Sequence, residues 1–170
     1  YLRARGYETV CCGLQHINKN DPGSRRVAYS RQYSSAIGGK DFWYWRDKED
    51  AARAAEYIKT RKRQDRPFYL YLGLFGTHRP FPAPDSGLYL DGVEACRVAV
   101  PPVVADTAQS RRDMADFYNA AALADRCVGQ VLDAVRESGI ADETLVVFTT
   151  DHGPAFPQMK CTLYDAGIGV

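Results

Sequence analysis

The sequence predicts an α/β fold built on a largely parallel sheet flanked by helices, and two observations carry that expectation. Short apolar runs, bounded by proline or glycine, read as buried strands. One long run with helical periodicity stands between two of them, and such strand-helix-strand alternation belongs to parallel sheets.

Taken in order, Leu2 to Arg5 read as a helix end closed by Gly6. Thr9 to Cys12 form a short β-prone run stopped by Gly13. Asn18 to Arg26 carry loop chemistry, with an Asp21-Pro22-Gly23 turn. An acidic turn at Asp47 opens an alanine-rich helix whose last residues, Lys59 to Arg63, suit the negative end of the helix dipole. Phe68 to Leu72, between Pro67 and Gly73, predict a strand covered on both faces. Pro80, Pro82 and Pro84 forbid regular structure, so the chain out to Pro101-Pro102 is expected to run as a long surface loop. Met114, Phe117, Ala121, Ala124, Val128, Val131 and Val135 recur at three- and four-residue steps and predict one helix face, ended by Gly139. Thr144 to Thr149 then predict a further buried strand.

At 170 residues and 45% hydrophobic content the chain is long and apolar enough for one packed core. Its 22 basic and 21 acidic side chains leave a net charge of +1, so no overall field points to nucleic acid or an anionic membrane as partner. The longest apolar stretches, Phe68 to Phe75 and Leu145 to Phe148, fall far short of the roughly 20 residues a membrane helix needs. Five cysteines without a CxxC pair are expected to be buried free thiols. With no initiator Met and no capping signal at Gly167 to Val170, the chain is expected to be an internal piece of a longer protein.

All three histidines follow the carboxyl end of a predicted strand by a few residues: His16, His78 and His152. That edge of a parallel sheet is where ligands bind, so the three either converge on one site or are unrelated surface residues. Thr150-Asp151-His152-Gly153 offers a carboxylate and an imidazole before a glycine that lets the backbone turn away. The pair suits a divalent cation, or else Asp151 caps a turn beside a packed His152. Lys160, eight residues on, either binds an anion from a bent loop or is simply solvated. His78-Arg79-Pro80 either builds a donor cluster for an oxyanion or ends a strand. The aromatic run Phe42-Trp43-Tyr44-Trp45 reads as a stacking platform or as core.

Several of these segments resemble the sulfatases of the alkaline phosphatase superfamily. Asp142 through Gly153, with Gly129-Gln130-Val131-Leu132-Asp133 before it and Lys160 through Gly167 after it, is similar to one family block. Gly6 through His16 and Phe68 through Pro80 resemble two more, in the family's order. Phe156-Pro157 is similar to the heparan N-sulfatase-like branch. The resemblance implies an alkaline-phosphatase-like fold and metal-dependent hydrolysis of sulfate esters or sulfamates, with a sulfated small molecule or glycan as substrate.

It further implies Asp151 and His152 as metal ligands, His78 and Lys160 as the pair at the sulfate group, and His16 as the residue steadying a formylglycine nucleophile. The metal implied is calcium; His152, where many sulfatases carry Asn, makes manganese or zinc admissible beside it. Leu14 stands where the family has a sulfate-binding lysine, and Gly169 where many relatives have arginine. Neither the Cys/Ser-x-Pro-x-Arg motif that yields formylglycine nor the family's paired aspartates occurs in residues 1–170. The chain is therefore expected to be a partial catalytic domain, inactive alone, lacking the N-terminal nucleophile segment and the C-terminal part. Two other readings stay open: a phosphodiesterase or phosphonate hydrolase of the same superfamily, and a non-catalytic relative that binds sulfated glycans.

Overall fold

Residues 1–15, 29–33, 42–62, 65–82, 84–90 and 93–169 are described by a computed structural model; His16 and the Asp21-Pro22-Gly23 turn lie outside them. The chain divides into two compact units, Tyr1–Phe75 with Ala124–Leu145 and Gly76–Leu123 with Val146–Val170.

The first unit holds a parallel sheet with strand order β2-β1-β3, where β1 is Glu8–Gly13, β2 Arg31–Tyr33 and β3 Phe68–Gly73. β1 and β3 run in register from Glu8 opposite Phe68 to Gly13 opposite Gly73. Parallel strands need a crossover, and α1 (Phe42–Lys59) supplies the one from β2 to β3, on the two sides of β1. The sheet's period of two sorts the side chains. Val10 and Cys12 of β1, with Leu70 and Leu72 of β3 and Tyr33 of β2, pack against Ala54, Tyr57 and Ile58 of α1 and against Ala134, Val135 and Ile140. A fully buried side chain such as Val10 or Ile58 contributes on the order of 1.5–3 kcal/mol. β1 is buried along its whole length, as a central strand should be. β3 is not covered on both faces as expected: Tyr69 is exposed and only Gly73 is fully buried, because β3 has a single described neighbour. The short β2 lay below the reach of any apolar pattern.

At the carboxyl ends of β1 and β3 the backbones approach closely. A Cβ on Gly13, whose φ is +85°, would stand 2.3 Å from the Gly73 carbonyl oxygen, so both position and conformation require glycine there.

α1 begins at Phe42, five residues ahead of the expected Asp47 start. The acidic residues therefore do not meet the helix dipole in its first turn. Asp47 is 1% exposed and accepts the Phe75 N–H at 2.8 and 3.0 Å, fixing the chain as it leaves β3. The core reading holds for part of the aromatic run. Trp43 packs on Phe75 with ring centroids 4.1 Å apart, while Trp45 is 41% exposed with Lys48 Nζ 5.0 Å from its ring.

The helix α2 spans Ala108–Glu137, and Gly139 past its end has φ +70°. Thr107 and Ser110 exchange side-chain to backbone hydrogen bonds of 2.9 and 3.1 Å at its start, a reciprocal cap. The buried face is offset from the expected one: Met114, Ala115, Asn119, Ala120, Leu123, Cys127 and Ala134 are all 3% exposed or less. Apolarity alone hid this, because Asn119 lies at the middle of the buried face. Its amide is satisfied by the Leu90 N–H at 2.8 Å and the Leu88 carbonyl at 3.4 Å.

In the second unit Val98, Met114, Ala115, Phe156 and Met159 form a core with Phe81 and Phe117 against it. The buried strand expected at Thr144 to Thr149 is corrected. The segment carries no strand pairing among the described residues, and Leu145, Val146, Val147 and Phe148 are 88%, 52%, 75% and 81% exposed. An apolar run records a tendency to be buried, whereas a strand exists only where another strand's edge receives its hydrogen bonds. Among the described residues no helix is long and apolar enough to cross a membrane.

All five cysteines are free, yet only Cys11, Cys12 and Cys127 are buried; Cys96 and Cys161 are exposed, against expectation. Burial pushes the Cys11 and Cys127 thiols up to about 11 and Cys12 up to about 12. Since the thiolate is the nucleophile, brief alkylation of the native protein at pH 8 followed by peptide mass mapping should mark Cys96 and Cys161 alone. Modification of Cys127 before denaturation would contradict the packing of α2.

Candidate functional site

His78 lies five residues beyond the end of β3, half-buried, in the turn that follows Gly76. Its Nδ1 stands 2.8 Å from the Arg79 carbonyl oxygen. A carbonyl only accepts, so Nδ1 carries the proton, and Nε2 of the neutral ring is the acceptor.

His152 repeats this arrangement. Its Nδ1 donates to the Gly153 carbonyl at 2.8 Å, which makes Nε2 the acceptor of the neutral ring. Nε2 in turn lies 3.6 Å from Oδ2 of Asp151, whose side chain is 83% exposed. A proton on the imidazole or a cation between the two would draw these acceptors together. The Asp151-His152 pair offers one oxygen and one nitrogen. Among the described residues no group of three or more His, Cys, Asp or Glu side chains converges as a metal site. A divalent cation needs more ligands than such a pair offers.

The backbone behind the pair is held tightly. The Gly153 N–H donates to the Gly167 carbonyl at 3.0 Å, just inside the short helix α3 (Asp165–Ile168). A Cβ at Gly153 would stand 1.9 Å from the Ala166 carbonyl oxygen, so the motif's glycine is required by close approach. The following residues fold as consecutive turns: Met159 N–H to Phe156 O at 3.2 Å, Lys160 N–H to Pro154 O at 3.1 Å and Thr162 N–H to Met159 O at 3.2 Å. Phe156 and Met159 anchor these turns in the second unit's core. Lys160 is half-buried, and among the described residues no carboxylate pairs with its ammonium. Asp151, His152 and Lys160 are accordingly carried by one segment of consecutive turns.

Arg79 joins the His78 turn to that segment: its Nε donates to the Ala155 carbonyl at 2.8 Å, and its Nη1 and Nη2 donate to Asp113 of α2 at 2.8 and 2.5 Å. Asp113 was not legible as a site residue, since 34 positions separate it from Arg79. A single half-buried acid on an apolar-faced helix carries no signal of its own. Beside it Asp116 accepts the Tyr89 hydroxyl at 3.0 Å; burial raises the Asp116 carboxyl above its ordinary range, and this hydrogen bond opposes the rise. Of the three histidines, His78 and His152 are on turns tied together through Arg79 and Ala155, and His16 is outside the described residues. Leu14 is half-buried, its N–H bonded to the Gly73 carbonyl at 2.9 Å, and places no charge at its position.

Comparison with known proteins bears on the family. A family model described as Sulfatase matches residues 1–168. The chain is 31% identical to N-sulphoglucosamine sulphohydrolase from Homo sapiens over 98% of its own length and 36% of that protein's. It is 26% identical to an ulvan-active sulfatase from Formosa agariphila over 99% of this chain and 38% of the relative. It is 28% identical to arylsulfatase A from Homo sapiens over 69% of this chain and 21% of the relative. The chain thus spans little more than a third of the length of these relatives at most.

Proposed function

Since the chain belongs to the sulfatase family, we propose that residues 1–170 form the part of a catalytic unit that binds the sulfuryl group of a sulfate ester or sulfamate during hydrolysis. The observation that carries this is the hydrogen-bonded run of turns from Asp151 to Lys160, one short segment that bears a carboxylate, an imidazole and an ammonium.

Asp151 and His152 would hold a divalent cation, which when bound supplies positive charge against the sulfuryl oxygens. Calcium is the family's expectation, and the imidazole of His152 brings manganese or zinc into range. Lys160 balances negative charge developing on the same oxygens as the bond from sulfur to the leaving atom breaks. His78 would act as the imidazolium, its Nδ1–H kept on the Arg79 carbonyl while Nε2 gives its proton to the departing oxygen or nitrogen and becomes the acceptor of the neutral ring, so that an alcohol or an amine leaves rather than its anion. His16 is assigned as proton acceptor beside the nucleophile. That nucleophile, a formylglycine hydrate in this reading, is assigned to the protein outside residues 1–170, whose sequence contains no motif for it.

The relative named N-sulphoglucosamine sulphohydrolase makes an N-sulfated amino sugar the first substrate to offer. The full-length protein should release sulfate from that sugar or from an aryl sulfate faster than it hydrolyses an aryl phosphodiester, and EDTA should abolish turnover. Preference for the phosphodiester would transfer the assignment to the phosphohydrolases, a reading the uncharged Leu14 favours. Binding of sulfated glycan without turnover in the full-length protein would reduce the site to a lectin-like one. The 170-residue chain alone should turn over neither substrate, and hydrolysis by it would sink the division of labour proposed here.

A further inference from the structure

We propose that Arg79 is a positioning residue for this reaction: it locks the turn bearing His78 to the segment bearing Asp151, His152 and Lys160, and it is not itself a ligand for the substrate's anionic group. The inference rests on the sulfatase reading for its activity readout and on the structure for its geometry.

An arginine next to a candidate catalytic histidine would ordinarily be assigned to the sulfate. Here the guanidinium is committed elsewhere. Its two terminal nitrogens meet both oxygens of Asp113 in a bidentate pair, and its Nε donates to the Ala155 carbonyl. Its flat face rests on aromatic core, with Cζ 4.5 Å from the Phe81 ring centroid and 5.0 Å from that of Phe156. Those rings are not mobile decoration: Phe81 and Phe156 stack at 6.0 Å, and both contact Phe117 of α2 at 5.5 and 5.7 Å.

Three features make this a clamp between the site's two halves. The Arg79 carbonyl accepts the proton of His78 Nδ1, so the orientation of the His78 ring depends on where Arg79 is held. Ala155 follows His152 by three residues and adjoins Pro154, whose carbonyl takes the Lys160 N–H. Asp113 lies on a thirty-residue helix with Met114 and Ala115, its immediate neighbours, buried in the core. One side chain therefore references both loops to one rigid element. Arginine suits this and lysine does not, because only a planar fork satisfies a bidentate carboxylate and a third acceptor while stacking on rings.

The test compares Arg79→Lys, Asp113→Asn and the double variant with wild type in the full-length protein, on the sulfated substrate that wild type turns over. Because a misplacement of about 1 Å costs about a hundredfold in rate, each single variant should lose roughly that in kcat with KM within about twofold. The double variant should be no slower than the worse single one, since both break one clamp. In the same samples the imidazole nitrogen resonances of His78 and His152 should both shift. Asp113→Asn leaves the Arg79 side chain on its rings, so it decides the matter if Arg79→Lys does not fold. A tenfold rise in KM for Arg79→Lys with kcat kept, and no effect of Asp113→Asn, would make Arg79 a substrate ligand and overturn the proposal. Unchanged kcat with unmoved histidine resonances would reduce the clamp to structure alone and overturn it equally. Absence of wild-type turnover on every sulfated substrate is instead a failure of the sulfatase reading, and the histidine resonances then decide the positioning role by themselves.

Discussion

Replacing Lys160 by alanine in the full-length protein is expected to lower kcat by a factor of about a hundred to a thousand, the typical loss of one preorganised charge-stabilising donor. The expectation follows from how the residue is held. Lys160 is half-buried, its N–H is tied to the Pro154 carbonyl, and the buried Met159 beside it anchors the turn. Its ammonium therefore acts from a fixed base in partly dry surroundings, where a charge is worth more than in open water. Lys160→Arg should recover part of the loss, because the charge returns on a differently shaped group. Circular dichroism and a denaturation midpoint should match wild type, since no ion pair to a carboxylate is broken among the described residues. Near-wild-type turnover of Lys160→Ala would remove Lys160 from the site and weaken the functional assignment with it.

Replacing Glu8 by alanine should instead cost stability, by about 3 kcal/mol, the low end of the range for breaking a buried ion pair from one side. Glu8 is 2% exposed at the start of β1, where its carboxylate receives Arg61 at 2.9 Å and the Tyr57 hydroxyl at 3.2 Å. Arg31 Nε lies 2.9 Å from the other oxygen without hydrogen-bond alignment, and Arg66 lies at 3.6 Å. Arg31 and Arg66 are more than half exposed, so water screens them and they add little. Arg61 is 12% exposed and would keep only the half-exposed Asp65 at 3.8 Å and the Arg66 carbonyl at 2.5 Å. A loss of that size is a large share of the roughly 5–15 kcal/mol that stabilises a typical domain. Glu8→Gln should cost less, because an amide oxygen still accepts from Tyr57 and Arg61. Urea denaturation of the three proteins would show the ordering. An alanine variant as stable as wild type would mean that Arg61 finds water or another acceptor when Glu8 is gone.

Much of this protein was legible in its sequence. β1, β3 and α2, the proline-rich loop after Pro80 and the Gly6 and Gly139 helix stops all follow from signals within a few residues of one another. Strand runs, helical spacing and glycine conformations are properties of the local chain, so the sequence alone determines them. The same holds for Asp151-His152-Gly153 and Lys160, whose spacing is enough to bring them into one packed segment, and for the family to which they belong.

Other features only the tertiary structure decides. The Thr144 to Thr149 run has the composition of a strand and is exposed, because pairing depends on another segment's backbone and not on its own side chains. Asp47 reads as an acidic helix start and is instead a buried acceptor for an amide 28 positions away. The buried face of α2 turns on Asn119, which is affordable only because Leu88 and Leu90 meet its amide. Arg79 reads as a donor for an anion until Asp113 and Ala155, 34 and 76 positions away, are seen to occupy it. In each case the free energy belongs to a pair of groups distant along the chain. A linear pattern records what each residue offers, and the fold alone determines which offers are met.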